Sequence, residues 1–286
     1  MIFFLHYKNK YFEKKHITSS LEIIPKNERI QLELFFRYLL MIEPSAYVLF
    51  GDKPMASAGY VNEQDPCSYL KRCAFFSWHS MDDKILKNGW EVWQKYRHLF
   101  PLDNFIFRKI EGTDVTMILL INKKSFLRAI EENFNDFTHV LGDEFSGEKL
   151  LEQFTTEKSP YDKPLRNHSG LLGILYGFGR HNALLFQQRN EVLKMLNSKR
   201  AFSLRSDPLR QELHVLNQKL QFFGDKDIFN PFLFMYLPMF AAELNHPETI
   251  KLKNKYRQQR QKISEIYGNG NFLEITLLKL CEKSHQ

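Results

Sequence analysis

Three glycines recur at helical spacing inside an otherwise apolar stretch of the chain, at Gly170, Gly173 and Gly177. A glycine within a helix lowers its stability by about 1 kcal/mol relative to alanine. Three on one face therefore indicate that another backbone, or a ligand, approaches too closely for a side chain to fit. The pattern predicts one tightly packed helix over Ser169–Leu196.

A small polar cluster follows the glycines at Arg180, His181 and Asn182. An arginine beside a glycine-floored face could receive a phosphate, a carboxylate or a main-chain carbonyl, because its guanidinium presents a planar pair of donors. The alternative is helix packing in which Arg180 binds a carbonyl or a buried acid. The segment lacks the third glycine and the preceding strand of a dinucleotide fingerprint, which argues against a nucleotide site.

The chain is long enough, at 286 residues, to bury a core without disulfide or metal staples. Its 26 phenylalanines and aromatic fraction of 14% are typical of a folded protein rather than a disordered one. We expect a mixed α+β part at residues 1–154 and a helical part at 168–286, forming one compact unit with a loop at 155–167.

The chain carries a formal charge of +7, from 40 basic and 33 acidic residues. This mild excess favours an acidic protein surface or another polyanion as a partner. Cys67, Cys73 and Cys281 show neither CxxC nor zinc spacing and predict reduced thiols in the cytoplasm. No signal peptide or apolar run of about 20 residues predicts export or a membrane span, although signal-independent secretion into a host cell is compatible with the sequence.

The first half of the sequence mixes strand and helix patterns. Tyr47–Phe50 and Met55–Val61 flank a Gly-Asp-Lys-Pro turn and predict one hairpin. A second hairpin is predicted by β-branched and aromatic runs around Glu111-Gly112. The remaining expected elements are an N-terminal strand at Ile2–Tyr7 and helices at Asn27–Met41, Asp82–Leu99 and Ser125–Leu141, the last ending at Gly142.

From residue 147 onward the periodicity is almost entirely helical, and several helices begin with a proline in the first turn. The predicted fold class is therefore α+β, mainly α: a small antiparallel sheet of two hairpins packed with helices, and a helical C-terminal half. Besides the glycine helix, the expected helices are Glu148–Phe154, Pro208–Phe223, Pro231–Leu244, Pro247–Tyr267 and Phe272–Glu282.

The first turn combines an acid and a base at Asp52 and Lys53, which are candidate ligand-binding residues, although polar residues in turns are normally solvated. The Leu-Phe-Gly-x-Lys-Pro turn and the later Gly-x-Gly-x-x-Asn-Ala helix resemble motifs of a protein family of chlamydiae and other intracellular bacteria. The resemblance rests on these two short motifs. It implies no reaction or ligand, and it favours a bacterial protein that meets a host cell.

The helix from Pro247 is the most basic in the chain. Its cations could follow the phosphates of a nucleic acid, or they could form a solvated outer face partly balanced by Glu248 and Glu265. No helix-turn-helix, zinc finger or aromatic RNA-binding motif accompanies them, so sequence-specific readout is not predicted. The basic residues are Lys251, Lys253, Lys255, Arg257, Arg260 and Lys262.

Two further groups of side chains have both a structural and a functional interpretation. Trp90, Trp93 and Tyr96 could stack bases or sugars, but their spacing favours core packing. The ten histidines include no HExxH pair, and neither a metal nor a cofactor is predicted.

These patterns favour a binding or interaction protein that engages an acidic partner or an anionic ligand, rather than an enzyme. An enzyme whose site lies between Asp52-Lys53 and Arg180–Asn182 is the first alternative. That hypothesis requires the two segments to converge in a pocket. A bacterial effector that acts in a host cell is the second alternative.

Overall fold

The computed structural model of the chain describes residues 14–62, 80–112, 115–155, 165, 167–198, 208–225, 235–268 and 270–283. The expected strand at Ile2–Tyr7, together with Cys67 and Cys73, lies outside these residues. Cys281 is a buried thiol. Within the described ranges, no helix combines the length and apolarity needed to cross a membrane.

The fold class is α+β, mainly α, as predicted. Strands β1, β2 and β3 form one sheet in the order β1-β3-β2, and β4 and β5 form a separate antiparallel pair. The strands are β1 Met55–Val61, β2 Phe105–Glu111, β3 Val115–Asn122, β4 Gln221–Phe223 and β5 Phe240–Ala242.

Helices make up most of the described chain. A π-helical turn, Tyr38–Ile42, continues α2, and a 3-10 turn, Arg97–Leu99, continues α4. The helices are α1 (14–23), α2 Lys26–Arg37, α3 Ala46–Leu49, α4 Ser80–Tyr96, α5 Lys123–Glu132, α6 Phe134–Leu141, α7 Gly147–Gln153, α8 Ser169–Leu175, α9 Arg180–Ser198, α10 Pro208–Lys219, α11 Pro247–Gly268 and α12 Phe272–Leu280.

The chain divides into two compact units. The first takes the described residues within 1–52, 56–122 and 261–286, and the second takes those within 53–55 and 123–260. This division differs from the expected parts because the C-terminal residues join the first unit, where the Arg37 guanidinium lies 4.4 Å from the centre of the Phe272 ring.

An aromatic core holds α2, α4 and β2 together in the first unit. The rings of Trp90 and Phe107 lie 5.2 Å apart, and those of Phe36 and Trp93 lie 5.5 Å apart. Trp90, Trp93 and Tyr96 are all buried. The structure thus confirms core packing for these three residues, and the base-stacking alternative is wrong.

Some expected elements are wrong because their residues are buried on every side and their apolar pattern therefore shows no period. Tyr47–Phe50 was expected to be a strand, but residues 46–49 form the short helix α3, all four of them buried. Periodicity cannot separate a short buried strand from a short buried helix. The hairpin of β2 and β3 is confirmed, with Phe105 paired to Asn122.

Other helices are shorter than expected. Ser125–Leu141 is interrupted at Asn133, whose side-chain amide donates to the Ala129 carbonyl, although Gly142 ends it as predicted. Residues 221–223 of the expected helix Pro208–Phe223 form β4 instead. Of the expected helix Pro231–Leu244, residues 231–234 lie outside the described ranges, and residues 240–242 form β5.

Candidate binding site

The glycine-rich segment of the second unit forms two helices rather than one. Gly177 and Gly179 have φ angles of +71° and +84°, a conformation that glycine adopts readily. The Phe178 N–H donates to the Gly173 carbonyl at 3.0 Å, and the Gly177 N–H donates to that of Ile174 at 2.9 Å. This pair of bonds is a Schellman motif, which ends α8. The single helix expected over 169–196 is therefore wrong.

The glycine face of α8 packs against α9. A Cβ atom on Gly173 would lie 2.8 Å from the Cβ of Ala183, and one on Gly170 would lie 3.2 Å from the Cβ of Gln187. The Gln187 side-chain oxygen accepts hydrogen bonds from the Gly170 N–H and the Ser169 hydroxyl. The predicted close approach is confirmed, and the approaching partner is the next helix of this chain.

Arg180 is paired with an acid of the same unit. Its Nε and Nη2 donate to the two carboxylate oxygens of Asp136 at 2.6 and 2.8 Å. This pair raises the pKa of the guanidinium above its ordinary value. The two guanidinium donors that could have bound an anionic ligand therefore bind Asp136 of the same chain.

The N-terminus of α9 is capped by Glu248 of α11. Its two carboxylate oxygens accept from the main-chain N–H groups of Arg180 at 2.7 Å and His181 at 2.9 Å. Such N–H groups form a ready anion site at a helix start. Here the anion is supplied by Glu248.

His181 lies between an acid and a second imidazole. Its Nε2 is 2.7 Å from Oε2 of Glu243, and its ring stacks on that of His246 with centres 3.5 Å apart. The hydrogen bond with His181 lowers the pKa of the Glu243 carboxyl. The pair therefore holds residues 243–246 against the first turn of α9.

Asn182 is buried, and both polar atoms of its side chain are hydrogen-bonded. Its amide nitrogen donates to the Phe178 carbonyl at 3.0 Å, while its side-chain oxygen accepts from the Glu243 N–H and the Thr249 hydroxyl. With no polar atom left over, Asn182 serves to fasten the chain between β5 and α11 onto α9.

We expect Arg180→Ala to lower the free energy of unfolding by no more than about 1 kcal/mol, because the Arg180 side chain is 56% exposed and its pair with Asp136 is screened by water. Urea denaturation measures the change, with Arg257→Ala, an exposed cation on α11, as the matched control. If Arg180→Ala bound an acidic partner more weakly and Arg257→Ala did not, the result would support Arg180 as a ligand-binding residue.

Lys53 is buried, with only 3% of its surface exposed. Its amine donates to the Met55 carbonyl at 2.6 Å and lies 5.5 and 5.7 Å from the ring centres of Tyr176 and Phe178. No carboxylate among the described residues pairs with it. Burial lowers the pKa of the amine to about 7.

Asp52 is half-buried and belongs to the first unit, whereas Lys53 belongs to the second. Within the second unit, the Lys53 amine faces aromatic rings, and the polar groups of Arg180 and His181 bind the carboxylates of α6, α11 and residue 243. A catalytic role for these residues remains a prediction.

A cavity of about 310 Å³ lies in the second unit beside the contact of α8 with α9. Two of its polar side chains have partners within the chain: Asn182 as described, and Ser169, whose hydroxyl donates to Gln187 and accepts from Asn190. The α8–α9 pocket, as we name it, is lined by Ser169, Leu172, Gly173, Tyr176, Phe178, Asn182, Ala183, Phe186, Met239, Phe240 and Ala241.

The aromatic rings of the pocket continue into a larger stack. Phe178 and Phe240 lie 4.4 Å apart and nearly parallel, and Phe223 stacks on the other side of the series, 4.3 Å from Phe240. Tyr176 stacks on Phe178 at 5.7 Å. The rings hold one another in place, so the pocket has a preformed aromatic wall.

The basic residues of α11 occupy different environments. Arg260 pairs with Asp225 at 2.9 Å, and the Lys253 amine lies 5.8 Å from the centre of the Phe223 ring. Lys255 is half-buried, and its amine lies 5.9 Å from the Tyr256 ring. Lys251, Arg257 and Lys262 are exposed. Engagement of an acidic partner through this helix remains a prediction.

No three histidine, cysteine or acidic side chains come together as a metal site in the described part of the chain. Comparison of the sequence with protein-family models, and of the chain with curated proteins and solved structures, finds no match. The function of the chain is therefore inferred from the chemistry of the site itself.

Sequence reasoning did not find the residues that complete this site. Asp136, Glu243 and Glu248 lie 44 to 68 residues from their partners along the chain. Phe178 could have been found from the sequence, because it lies between Gly177 and Gly179. Two glycines at this spacing are typical of a break between two helices. Nothing in the sequence indicated that Met239 and Phe240 form a wall of the pocket.

Proposed function

We propose that this protein is a binding protein that takes the apolar ring of a small ligand into the α8–α9 pocket. The observation that carries the proposal is the cavity of about 310 Å³ with its aromatic wall. Small-molecule sites have volumes of roughly 300–1,000 Å³ and are lined mainly by apolar and aromatic side chains.

Two polar side chains of the pocket support an apolar ring as the part of the ligand that lies inside it. The amide of Asn182 and the hydroxyl of Ser169 already have their hydrogen-bond partners within the chain. A polar ligand would lose its bonds to water without gaining new ones from these two groups. An apolar ring gains the hydrophobic contribution, about 25 cal/mol for each Å² removed from water.

The sequence also favours a binding protein, but it places the binding at Arg180 and the basic helix, whereas the proposal places it in the α8–α9 pocket. Arg180 and the start of α9 are already neutralised by Asp136 and Glu248, so they offer little to an external anion. Bacterial origin and action in a host cell remain predictions that this proposal neither uses nor requires.

The variant Leu172→Trp tests the proposal by filling the pocket. Leu172 is half-buried and lies with Ser169, Gly173 and Tyr176 on the face of α8 that lines the pocket, so a larger apolar side chain there occupies the cavity without a helix-breaking change. We expect the affinity for 2-naphthamide, an uncharged two-ring probe, to fall at least tenfold, measured by calorimetry.

Val215→Trp is the matched control, because it adds the same indole at an exposed site on α10 that does not line the pocket. We expect this variant to bind the probe as the parent protein does. Circular dichroism verifies that both variants are folded. Absence of binding by the parent protein, or equal binding by Leu172→Trp, would contradict the proposal.

A further inference from the structure

Arg189 is a half-buried cation beside the α8–α9 pocket, next to a residue that lines it, although Arg189 itself is not among the lining residues. It lies on α9, one turn after Phe186, and its guanidinium carbon is 5.9 Å from the centre of the Phe186 ring. Phe186 lines the pocket. A charged group attached to a ligand in the pocket would have to extend past Phe186 to meet the guanidinium.

The acceptors of Arg189 are neutral. Its Nε donates to the side-chain oxygen of Asn217 at 2.6 Å, and its Nη1 donates to that of Asn190 at 3.4 Å. An arginine has five N–H donors, and three of those of Arg189 have no acceptor in the described part of the chain. Among the residues that the structure describes, no carboxylate pairs with this guanidinium.

Two other arginines of the same unit show the contrast. Arg180 is bound by Asp136, and Arg260 is bound by Asp225, each through a carboxylate. Arg189 is half-buried like Arg260, yet two amides take the place of the acid. A half-buried guanidinium without a counter-ion attracts an anion, most strongly one whose two oxygens match its planar donors.

We propose that the ligand of the pocket is an aromatic carboxylate, whose ring lies among Tyr176, Phe178 and Phe240 and whose carboxylate accepts hydrogen bonds from Arg189. This inference rests on the proposed function and adds the charge of the ligand to it. One unpaired guanidinium matches one negative charge, which favours a monocarboxylate over a phosphate. The aromatic wall favours a flat ring, because offset and edge-to-face ring pairs are attractive.

The test compares 2-naphthoate with 2-naphthamide, which have the same ring system and nearly the same shape and differ in charge. By calorimetry at low ionic strength, we expect the parent protein to bind the carboxylate about tenfold more tightly, the effect of a charge-assisted pair of hydrogen bonds. Raising the salt concentration should reduce this preference and leave the affinity for the amide nearly unchanged.

Variants at Arg189 assign the preference to this residue. Arg189→Gln keeps a donor for Asn217 but removes the charge, and we expect it to bind the two probes equally. Arg189→Lys should keep part of the preference for the carboxylate, because it keeps the charge without the planar fork. Arg257→Gln removes the same charge from an exposed position on α11 and should bind as the parent protein does.

The outcomes separate the two proposals. Equal affinity of the parent protein for both probes, or a preference that persists in Arg189→Gln, overturns the carboxylate inference while the pocket proposal survives. Absence of binding for both probes overturns both proposals. If Arg189→Gln does not fold, the parent protein's salt dependence and the Arg189→Lys variant decide instead, and an unchanged preference in both measurements overturns the inference.

Discussion

The free energy of unfolding should rise by about 3 kcal/mol between pH 7 and pH 10, because the Lys53 amine is buried in the folded protein. Burial lowers the pKa of this amine from 10.5 to about 7. Between these two values the unfolded chain binds a proton that the folded protein does not, so folding becomes more favourable as the pH increases. One pKa unit corresponds to about 1.4 kcal/mol, and the window covers about three units.

The variant Lys53→Met isolates this contribution. Methionine keeps the length and apolar body of the side chain and cannot be protonated, so we expect its free energy of unfolding to stay nearly flat over the window. Lys251→Met removes an exposed lysine of α11 and should keep the rise. Urea denaturation at pH 7, 8, 9 and 10 measures all three proteins.

Two outcomes would contradict this account of Lys53. A flat profile for the parent protein would mean that the buried amine stays charged, stabilised by the Met55 carbonyl and the rings of Tyr176 and Phe178. A rise that persists in Lys53→Met would assign the proton to another group. The window ends at pH 10 because Tyr267 affects stability above that pH. Burial raises the pKa of its hydroxyl in the folded protein, so at higher pH the unfolded chain loses this proton first and the free energy of unfolding falls.

A neutral amine at pH 8 would be a nucleophile and a hydrogen-bond acceptor, which an exposed lysine is not. Tyr176 and Phe178 both contact Lys53 and line the α8–α9 pocket. Lys53 itself is not among the lining residues, and its low exposure keeps it from direct contact with solvent. In the described structure its titration therefore acts on stability rather than on a substrate.

Long periodic patterns were predicted well from the sequence. The helices α2, α4 and α11 and the hairpin of β2 and β3 agree with their expected residues to within a few positions. Apolar residues at helical spacing predict α2 and α4, a proline in the first turn predicts the start of α11, and β-branched and aromatic runs around Glu111-Gly112 predict the hairpin. Local chemistry also placed the end of α6 at Gly142, where φ is +93°.

The errors arose where tertiary contacts override local preference. Residues 46–49 are buried on all sides, so their apolar run carries no period, and β5 forms only because β4 pairs with it. The candidate site shows the same limit. The sequence identified Arg180 and Asn182, but the partners that bind their polar groups are set by the fold and lie far away along the chain.

Gly173→Ala should lower the free energy of unfolding by about 2 kcal/mol, although alanine is the better helix former. The new Cβ atom would lie 2.8 Å from the Cβ and 3.3 Å from the Cα of Ala183. Neither atom belongs to a flexible side chain, so α8 and α9 must separate. Overpacking of this kind costs about 1–3 kcal/mol, which exceeds the gain of up to 1 kcal/mol in helix propensity.

A second variant, Ala183→Gly, removes the Cβ atom with which the new alanine at position 173 would clash. Alone it should destabilise the protein by about 1 kcal/mol. Combined with it, Gly173→Ala should become neutral or stabilising, which gives a coupling of about 2 kcal/mol in a double-mutant cycle measured by urea denaturation. Gly268→Ala, at a helical glycine with open space around its Cβ position, should show no loss in either background.

The same pair of residues links the stability of the helix contact to binding. Gly173 and Ala183 both line the α8–α9 pocket, so a separation of the helices in Gly173→Ala changes the distance between its walls. We expect weaker binding of 2-naphthamide in this variant and recovery in the double variant. If Gly173→Ala loses stability but binds the probe unchanged, the ligand lies away from this contact. If Gly173→Ala keeps its full stability, α8 and α9 are farther apart than the 2.8 Å between the new Cβ and the Cβ of Ala183 indicates.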